Sequence, residues 1–138
     1  MFGVSSMTAP LKKVAVMKPG DSLINADPVK WHYGPLFDPN KVVEVHNHFV
    51  EILEDSGAEV YWMAENELEI ADSVFTYDAS LMTPKGAILM SPGKLLRKGE
   101  QSIHKSFYEN QNIPIIGKVD SDGRAEAGDT LWLDHQTL

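Results

Sequence analysis

The 138-residue sequence contains no cysteine. That absence excludes disulfide bonds, thiolate metal sites and a cysteine nucleophile within this chain. Basic residues are also few: 12 lysines and arginines stand against 20 aspartates and glutamates, for a formal net charge of −8. A negative surface disfavours electrostatic binding to nucleic acid or to anionic lipid, because both are themselves negative. A cationic or zwitterionic small molecule is the better match.

A long hydrophobic run is missing too, since no stretch of about 18 apolar residues could span a membrane. Residues 1–10 (MFGVSSMTAP) lack the charged start and apolar middle of a secretory signal, and we predict a short disordered lead-in there. A cytoplasmic location is therefore expected. Hydrophobic residues make up 43% of the sequence and charged residues 23%, the balance of a globular domain, which is predicted over residues 11–138.

The hydrophobic pattern predicts an α/β fold. Apolar residues recur every three or four positions over residues 41–56 and about 98–110, which predicts helices there. Closely spaced prolines predict a long ordered loop over 21–40, and a turn of helix is predicted around 65–70. Strands are predicted at the short β-branched or alternating runs 11–17, 58–63, 73–76, 81–83, 87–90, 113–119 and 130–133.

Two of the predicted strands belong to a repeat. VAVMKPG at residues 14–20 resembles AILMSPG at 87–93, and each is followed by a predicted helix and strand. The turn at 84–86 joins the second copy to the preceding strand in a predicted hairpin. Such units need neighbours to bury their faces, which points to a radially repeated α/β structure. We expect the chain to be cut off at Leu138, directly after a predicted strand.

Two carboxylates flank the predicted strand in DSVFTYD. A period of two places Asp72 and Asp78 on the same strand face. Carboxylates at a strand end can bind a guanidinium group through paired, charge-assisted hydrogen bonds. The alternative is that Asp72 caps one turn and Asp78 begins the next. Spacing alone favours this alternative, because aspartate is common in turns.

Two later segments carry further candidates. Arg97 follows the turn SPGKLL and could hold a substrate carboxylate with its planar guanidinium, although a solvated surface arginine is the more common case. Glu126 lies in AEAGDTLWL, where small residues let a ligand approach closely, and an ordinary loop is the alternative. His46 and His48 fall on different faces of the predicted helix, so we expect no metal site, and no cofactor motif is present.

Taken in order, these segments resemble the guanidine-modifying superfamily, whose fold is called the pentein. The likeness is strongest to the N-terminal half of dimethylarginine dimethylaminohydrolases and of arginine deiminase-like hydrolases of the amidinotransferase family. The resemblance implies a partial five-bladed α/β propeller, of which this chain would supply two to three ββαβ modules. It covers nearly the whole chain after residue 10 and is carried by VAVMKPG, ADPVKWHYGPL, DSVFTYDASLMTPKGAILMSPGKLLRKGE and EAGDTLWLDHQTL.

The resemblance also implies a chemistry. In such enzymes a cysteine attacks the guanidinium carbon of arginine or methylated arginine, a histidine acts as acid and base, and water then releases citrulline. It implies that Asp78 binds the substrate guanidinium and that Asp72 is a second substrate contact. It further implies that Arg97 holds the substrate α-carboxylate and that Glu126 orients the catalytic histidine. That histidine and the cysteine would lie outside this chain, which is expected to be inactive alone.

Two positions depart from the family pattern. Tyr77 stands where the dimethylarginine enzymes have Glu and many arginine deiminase-like relatives have Arg, so the guanidino substrate stays open. Ala127 replaces the first glycine of the E-G-G-D segment and should add only a methyl group near the pocket. The alternatives are an amidinotransferase and a non-catalytic guanidinium-binding or scaffolding fragment. An open half-propeller exposes strand edges, so self-association or pairing with a missing C-terminal half is also predicted.

Overall fold

The computed structural model describes residues 2–64, 69–120 and 122–138. The chain forms two compact units: Leu11–Phe75, called the first unit, and Thr76–Leu138 with Met1–Pro10, called the second unit. This described part contains both helices and strands, which confirms a mixed α/β fold. None of the described helices is long and apolar enough to cross a membrane. A cytoplasmic location and a single domain over 11–138 stay predictions.

The first unit contains a parallel β-α-β connection. Strand β1 (Lys13–Val16) pairs in parallel with strand β2 (Glu59–Trp62). Helix α1 (Asp21–Ile24) and helix α2 (Val42–Asp55) lie between them in the chain. Val50 is the buried residue of α2. Both predicted strands and the predicted helix over 41–56 are thus confirmed.

The proline-rich segment between α1 and α2 is irregular, as predicted. Residues 25–40 form turns without helix or strand, and the single helical turn of α1 is the one departure in the predicted loop over 21–40. Trp31 is buried within this loop, with 7% of its surface exposed. A buried tryptophan supplies the large apolar contact area that can hold such a loop in place.

The second unit contains a three-stranded sheet in ββαβ order. Strand β3 (Ser80–Thr83) pairs antiparallel with strand β4 (Gly86–Leu89), and β4 pairs in parallel with strand β5 (Ile115–Lys118). Helix α3 (Glu100–Asn110) connects β4 to β5. Gly86 has a φ of 147°, and a Cβ there would lie 2.3 Å from the Pro114 carbonyl oxygen. Glycine is therefore required where β4 meets the chain entering β5.

Strand β4 is covered on both faces. Ala87 and Leu89 pack against Tyr108 of α3, whereas Met90, just beyond the strand, packs with Ala127 on the opposite face. A strand that is buried on both faces has a continuous apolar sequence, and AILM is such a sequence. The predicted hairpin, helix and last strand of this unit are confirmed.

The repeated sequences occupy equivalent places in the two units. VAVMKPG contains most of β1 and AILMSPG contains most of β4, and each strand leads through helix to a parallel partner. The repeat therefore marks two copies of a β-α-β connection, as predicted. The two sheets, of two and three strands, are open among the described residues, and closure into a propeller stays a prediction.

Two predicted strands are wrong. Ala71–Val74 forms a 3₁₀ helix in place of the strand predicted over 73–76, because the Ser73 hydroxyl donates to the Ile70 carbonyl (2.8 Å) and such local bonds compete with strand pairing. Residues 130–133 form no strand, and the Thr130 hydroxyl instead donates to the Ala127 carbonyl at 2.7 Å. Residues 65–68, in the predicted helical turn around 65–70, lie outside the described part of the chain.

Candidate functional site

Asp78, Arg97 and the segment around Glu126 are brought together in the second unit. Asp78 lies in the turn before β3, and Arg97 ends a 3₁₀ helix (Leu95–Arg97) that precedes α3. The Arg97 guanidinium donates through Nη1 to Asp78 Oδ2 at 2.7 Å. The backbone N–H of Ala127, next to Glu126, donates to the Asp78 carbonyl at 3.0 Å. Asp78 therefore joins two segments that are distant in sequence.

Arg97 is buried between two carboxylates. Its Nε and Nη2 donate to the two carboxylate oxygens of Glu100, each at 2.8 Å, so the pair is bidentate. The side chain of Arg97 is 6% exposed and that of Glu100 is 1% exposed. Gly99 lies between them with a φ of 112°, a left-handed conformation that favours glycine, and α3 begins directly after it. The planar arginine fork matches a carboxylate in this geometry.

The two carboxylates keep Arg97 charged. Burial by itself lowers the pKa of Arg97, but its hydrogen bonds to Glu100 and Asp78 and their negative charges outweigh burial and raise that pKa above its ordinary value. Glu100 also stands in the first turn of α3, where the helix dipole favours a negative charge. The cluster thus holds a permanent positive charge against Asp78.

The Asp78 carboxylate has one oxygen bound and one open. Oδ2 accepts the Arg97 hydrogen bond, and Oδ1 accepts none from any described residue. Gly128 borders Oδ1 closely, since a Cβ at that position would lie 3.1 Å from it. The Asp78 side chain is 26% exposed, in contrast to the buried Arg97. A carboxylate oxygen held in this way can accept an N–H from a cationic ligand.

Glu126 is anchored to the turn that ends the second sequence repeat. Its Oε1 accepts the backbone N–H of Gly93 at 2.8 Å. Ser91 and Ala125 form an antiparallel bridge beside this contact, with backbone hydrogen bonds of 2.9 Å and 3.0 Å. The SPG turn after β4 therefore sets the position of the Glu126 carboxylate.

Ala127 corrects a sequence-based expectation. Its methyl group is fully buried and packs with Leu81 and Met90 in the hydrophobic core, so it does not project near a pocket as predicted. The reason is that the 3₁₀ helix Ala127–Asp129 turns this residue toward the sheet while Gly128 borders Asp78. The substitution of glycine by alanine therefore fills core volume.

Asp72 lies in the first unit and is buried, with 4% of its surface exposed. Its Oδ1 accepts a hydrogen bond from the Tyr33 hydroxyl at 2.7 Å, which ties the proline-rich loop to the 3₁₀ helix Ala71–Val74. The argument that Asp72 and Asp78 share a strand face is wrong, because no strand contains them. A role for Asp72 in substrate contact stays a prediction.

Sequence reasoning missed a polar stripe on α3. Glu100, His104 and Tyr108 are buried at four-residue spacing, whereas the hydrophobic pattern alone would place Ile103 and Phe107 on the inner face beside Tyr108. Ile103 and Phe107 are only half-buried. The signal that could have found the stripe is this spacing, together with the Arg97-x-x-Glu100 pattern.

The middle of this stripe is hydrogen-bonded to β3. The Ser80 hydroxyl lies 2.8 Å from His104 Nδ1 and 2.6 Å from the Tyr108 hydroxyl. Burial and the nearby positive charge of Arg97 lower the pKa of His104 to about 4. His104 is therefore neutral at pH 7 and sits in the core behind the charged cluster.

Comparison with known proteins gives a consistent result. No family model matches the chain. The N(G),N(G)-dimethylarginine dimethylaminohydrolase of Pseudomonas aeruginosa (strain PAO1) is 29% identical over 99 residues, which are 71% of this chain and 39% of that protein. The chain thus spans well under half the length of the curated relative that it matches.

Solved structures agree in fold. A variant of the Pseudomonas aeruginosa enzyme in complex with citrulline superimposes with a TM-score of 0.70 and 26% identity, covering 86% of this chain and 46% of that one. The N-terminal domain of ArgZ, a cyanobacterial arginine dihydrolase bound to its product, gives a TM-score of 0.71 at 19% identity, covering 86% and 44%. These matches confirm the predicted resemblance to dimethylarginine dimethylaminohydrolases, and the second supports the fold alone.

Proposed function

We propose, from this resemblance and from the carboxylate cluster, that the chain supplies the substrate-recognition part of a hydrolase acting on C–N bonds of linear amidines. Its substrate would be arginine or a methylated arginine, converted to citrulline and ammonia or an alkylamine. The relatives that carry the argument are about twice as long as this chain, so the remainder of a five-bladed propeller would come from other residues.

The observation that carries the proposal is the state of Asp78. One carboxylate oxygen is held by Arg97 and the other is open beside Gly128. A guanidinium group is planar and cationic, and it donates N–H bonds that suit such an oxygen. The net charge of −8 favours the approach of a cation as well.

The other predicted site residues receive different support. Glu126 is held by Gly93 through Oε1, which suits a carboxylate that positions a histidine from elsewhere in the protein. Arg97 donates one N–H to Asp78 and two to Glu100, and these contacts favour a role in holding Asp78. A direct contact of Arg97 with the substrate α-carboxylate stays a prediction.

The chemical step needs a group that this sequence lacks. Attack on the guanidinium carbon by a thiolate would form a covalent amidino intermediate and release the amine, and water would then release the ureido product. Because the sequence contains no cysteine, we expect no turnover from it alone. Incubation with arginine and with dimethylarginine, followed by a citrulline assay, tests this. Robust turnover without a second chain would overturn the cysteine-dependent mechanism.

Recognition can be tested separately from turnover. Calorimetry should detect arginine binding to the parent chain and a loss of at least about tenfold in Asp78→Asn, because the neutral amide removes one charge-assisted hydrogen bond. Asp122→Asn is the matched control, since Asp122 is an exposed aspartate of the same unit. Equal heats from the parent and Asp78→Asn would contradict the assignment of Asp78.

A second candidate function is guanidinium binding without chemistry. The observation in its favour is that the chain holds the Asp78 cluster but no cysteine. This alternative predicts that the whole protein binds arginine and forms no citrulline. An amidinotransferase is distinguished by the product, because it passes the amidino group to an amine and forms no citrulline.

The choice of substrate depends in part on Tyr77. This residue is 54% exposed beside Asp78, at a position where the dimethylarginine enzymes carry Glu. A phenol ring adds apolar area and can contact a cation through its π face. Comparing arginine with dimethylarginine in the parent and in Tyr77→Ala would show whether the ring discriminates between them.

Association with another chain is also proposed. Within the first unit, Val45, Phe49 and Ile52 expose an apolar stripe on α2 at helical spacing, each with at least half of its surface exposed. Size-exclusion chromatography should show self-association, or a complex once the missing half is added. A compact, stable monomer would contradict the expectation.

A further inference from the structure

We propose that Glu100 is a positioning residue of the guanidinium site, which keeps the guanidinium of Arg97 from occupying the carboxylate meant for the substrate. The inference rests on the proposed function, and it deepens it. Its starting point is that Arg97 and the proposed substrate carry the same chemical group. A site that binds a guanidinium next to a built-in guanidinium must keep the two apart.

The geometry supplies the means. An arginine guanidinium has two edges that can pair with a carboxylate, one through Nε and Nη2 and one through Nη1 and Nη2. Glu100 takes the first edge with two bonds of 2.8 Å. Asp78 receives a single N–H, from Nη1 to Oδ2 at 2.7 Å, and its Oδ1 is left open. Arg97 is thus bidentate to Glu100 and monodentate to Asp78.

Burial makes this division strict. The Glu100 side chain is 1% exposed and that of Arg97 is 6% exposed, so water has little access to the contact between them. Asp78 is the more exposed of the two carboxylates, at 26%. If Glu100 lost its charge, Asp78 would be a carboxylate that already accepts an N–H from Arg97. Arg97 would then turn onto Asp78 and compete with an incoming guanidinium for Oδ1.

The backbone around Glu100 holds it in this role. Gly99 precedes α3 in a left-handed conformation, and Arg97 and Glu100 pair across this turn at the start of the helix. His104, one turn further on the same buried face, is bonded to Ser80 and fixes α3 against β3. Glu100 is therefore buried at the start of a helix that is itself hydrogen-bonded to the sheet.

The test uses ethylguanidine, which lacks an α-carboxylate, so that any contact of Arg97 with a substrate carboxylate does not enter. Binding to the whole chain is followed by NMR titration. Glu100→Gln should weaken binding by about fivefold or more, because a glutamine oxygen accepts only one of the two Arg97 bonds. Glu109→Gln is the matched control: Glu109 lies on the same helix in an exposed ion pair with Lys105 and should bind as the parent does.

A second variant distinguishes competition from simple damage. Arg97→Gln with Glu100→Gln removes both buried charges together and so leaves neither unpaired. If Arg97 competes with the ligand, this double variant should bind ethylguanidine several-fold more tightly than Glu100→Gln alone. A double variant that binds no better than the single one overturns the proposal. Glu100→Gln binding at the parent's affinity overturns it as well.

The NMR signal of the Asp78 carboxyl carbon tests this inference independently of the proposed function. In Glu100→Gln the signal should move, because Arg97 makes a second contact with Asp78, and the Glu109→Gln spectrum should not change. If the parent binds no ethylguanidine, the proposed function fails for this chain, and the signal still decides the role of Glu100. An Asp78 signal unmoved in Glu100→Gln shows that Glu100 does not position it.

Discussion

Acidification should destabilise the second unit through His104. His104 is 3% exposed, its Nδ1 lies 2.8 Å from the Ser80 hydroxyl, and the positive Arg97 is nearby. Burial and that charge lower the pKa of His104 from 6.5 to about 4. Between these values the unfolded chain binds a proton that the folded chain does not. Stability is therefore lost as the pH falls from about 6.5 to about 4.

The magnitude follows from the two pKa values. For a single group that titrates at 6.5 when unfolded and about 4 when folded, the linkage relation gives a loss of about 2 kcal/mol by pH 5. The loss reaches about 3 kcal/mol at pH 4, where the folded protein begins to take up the proton. A change of this size is a large share of the stability of a small domain.

Urea unfolding at pH 7 and pH 5 measures the effect. His104→Gln keeps a polar side chain opposite Ser80 but does not titrate. The pH dependence of stability that comes from carboxylates is common to both proteins, so it cancels in the comparison. The parent should lose about 2 kcal/mol more than the variant between the two pH values. His48→Gln reports what removal of an exposed histidine does by itself. Equal losses in the parent and in His104→Gln would refute the reasoning.

Two glycine substitutions test the geometry around the sheet and the site. Gly86→Ala should lower the free energy of unfolding by more than about 2 kcal/mol, since its Cβ would lie 2.3 Å from the Pro114 carbonyl oxygen at a φ of 147°. Gly34→Ala, where no atom lies within 4 Å of the added Cβ, is its control, and equal urea midpoints for the two would contradict the expectation. Gly128→Ala places a methyl group 3.1 Å from Asp78 Oδ1 and should weaken arginine binding in calorimetry while leaving stability nearly unchanged. Unaltered affinity would show that the ligand does not approach Asp78 from this side.

Local patterns in the sequence were sufficient for most of the secondary structure. The apolar spacing over 41–56 predicts α2, and the run AILM bounded by glycine and proline predicts β4, because helix and strand periods depend on near neighbours. The repeat of VAVMKPG and AILMSPG predicts two equivalent connections. The strand at 73–76 failed because a serine hydroxyl bonded the backbone locally, which hydrophobic patterning does not reveal.

For the candidate site, the sequence likewise identifies residues but not their arrangement. Asp78, Arg97 and Glu126 could be named from the sequence, because the segments that contain them match a known pattern. Their geometry could not, because it depends on contacts between segments 19 and 33 residues apart in the chain. A fork such as that of Arg97 can bind a substrate or a protein carboxylate, and only the position of a buried partner decides between them.

Composition by itself determined that no thiolate chemistry can occur within these residues and that a cationic ligand suits the chain. Tertiary structure alone decided that Glu100 and His104 are buried beneath the site and that the methyl group of Ala127 belongs to the core. The physical reason is that burial of a charged or polar side chain depends on partners supplied by other segments, such as Ser80 for His104. Residue type and spacing describe the donor and the acceptor separately, and folding determines whether they meet.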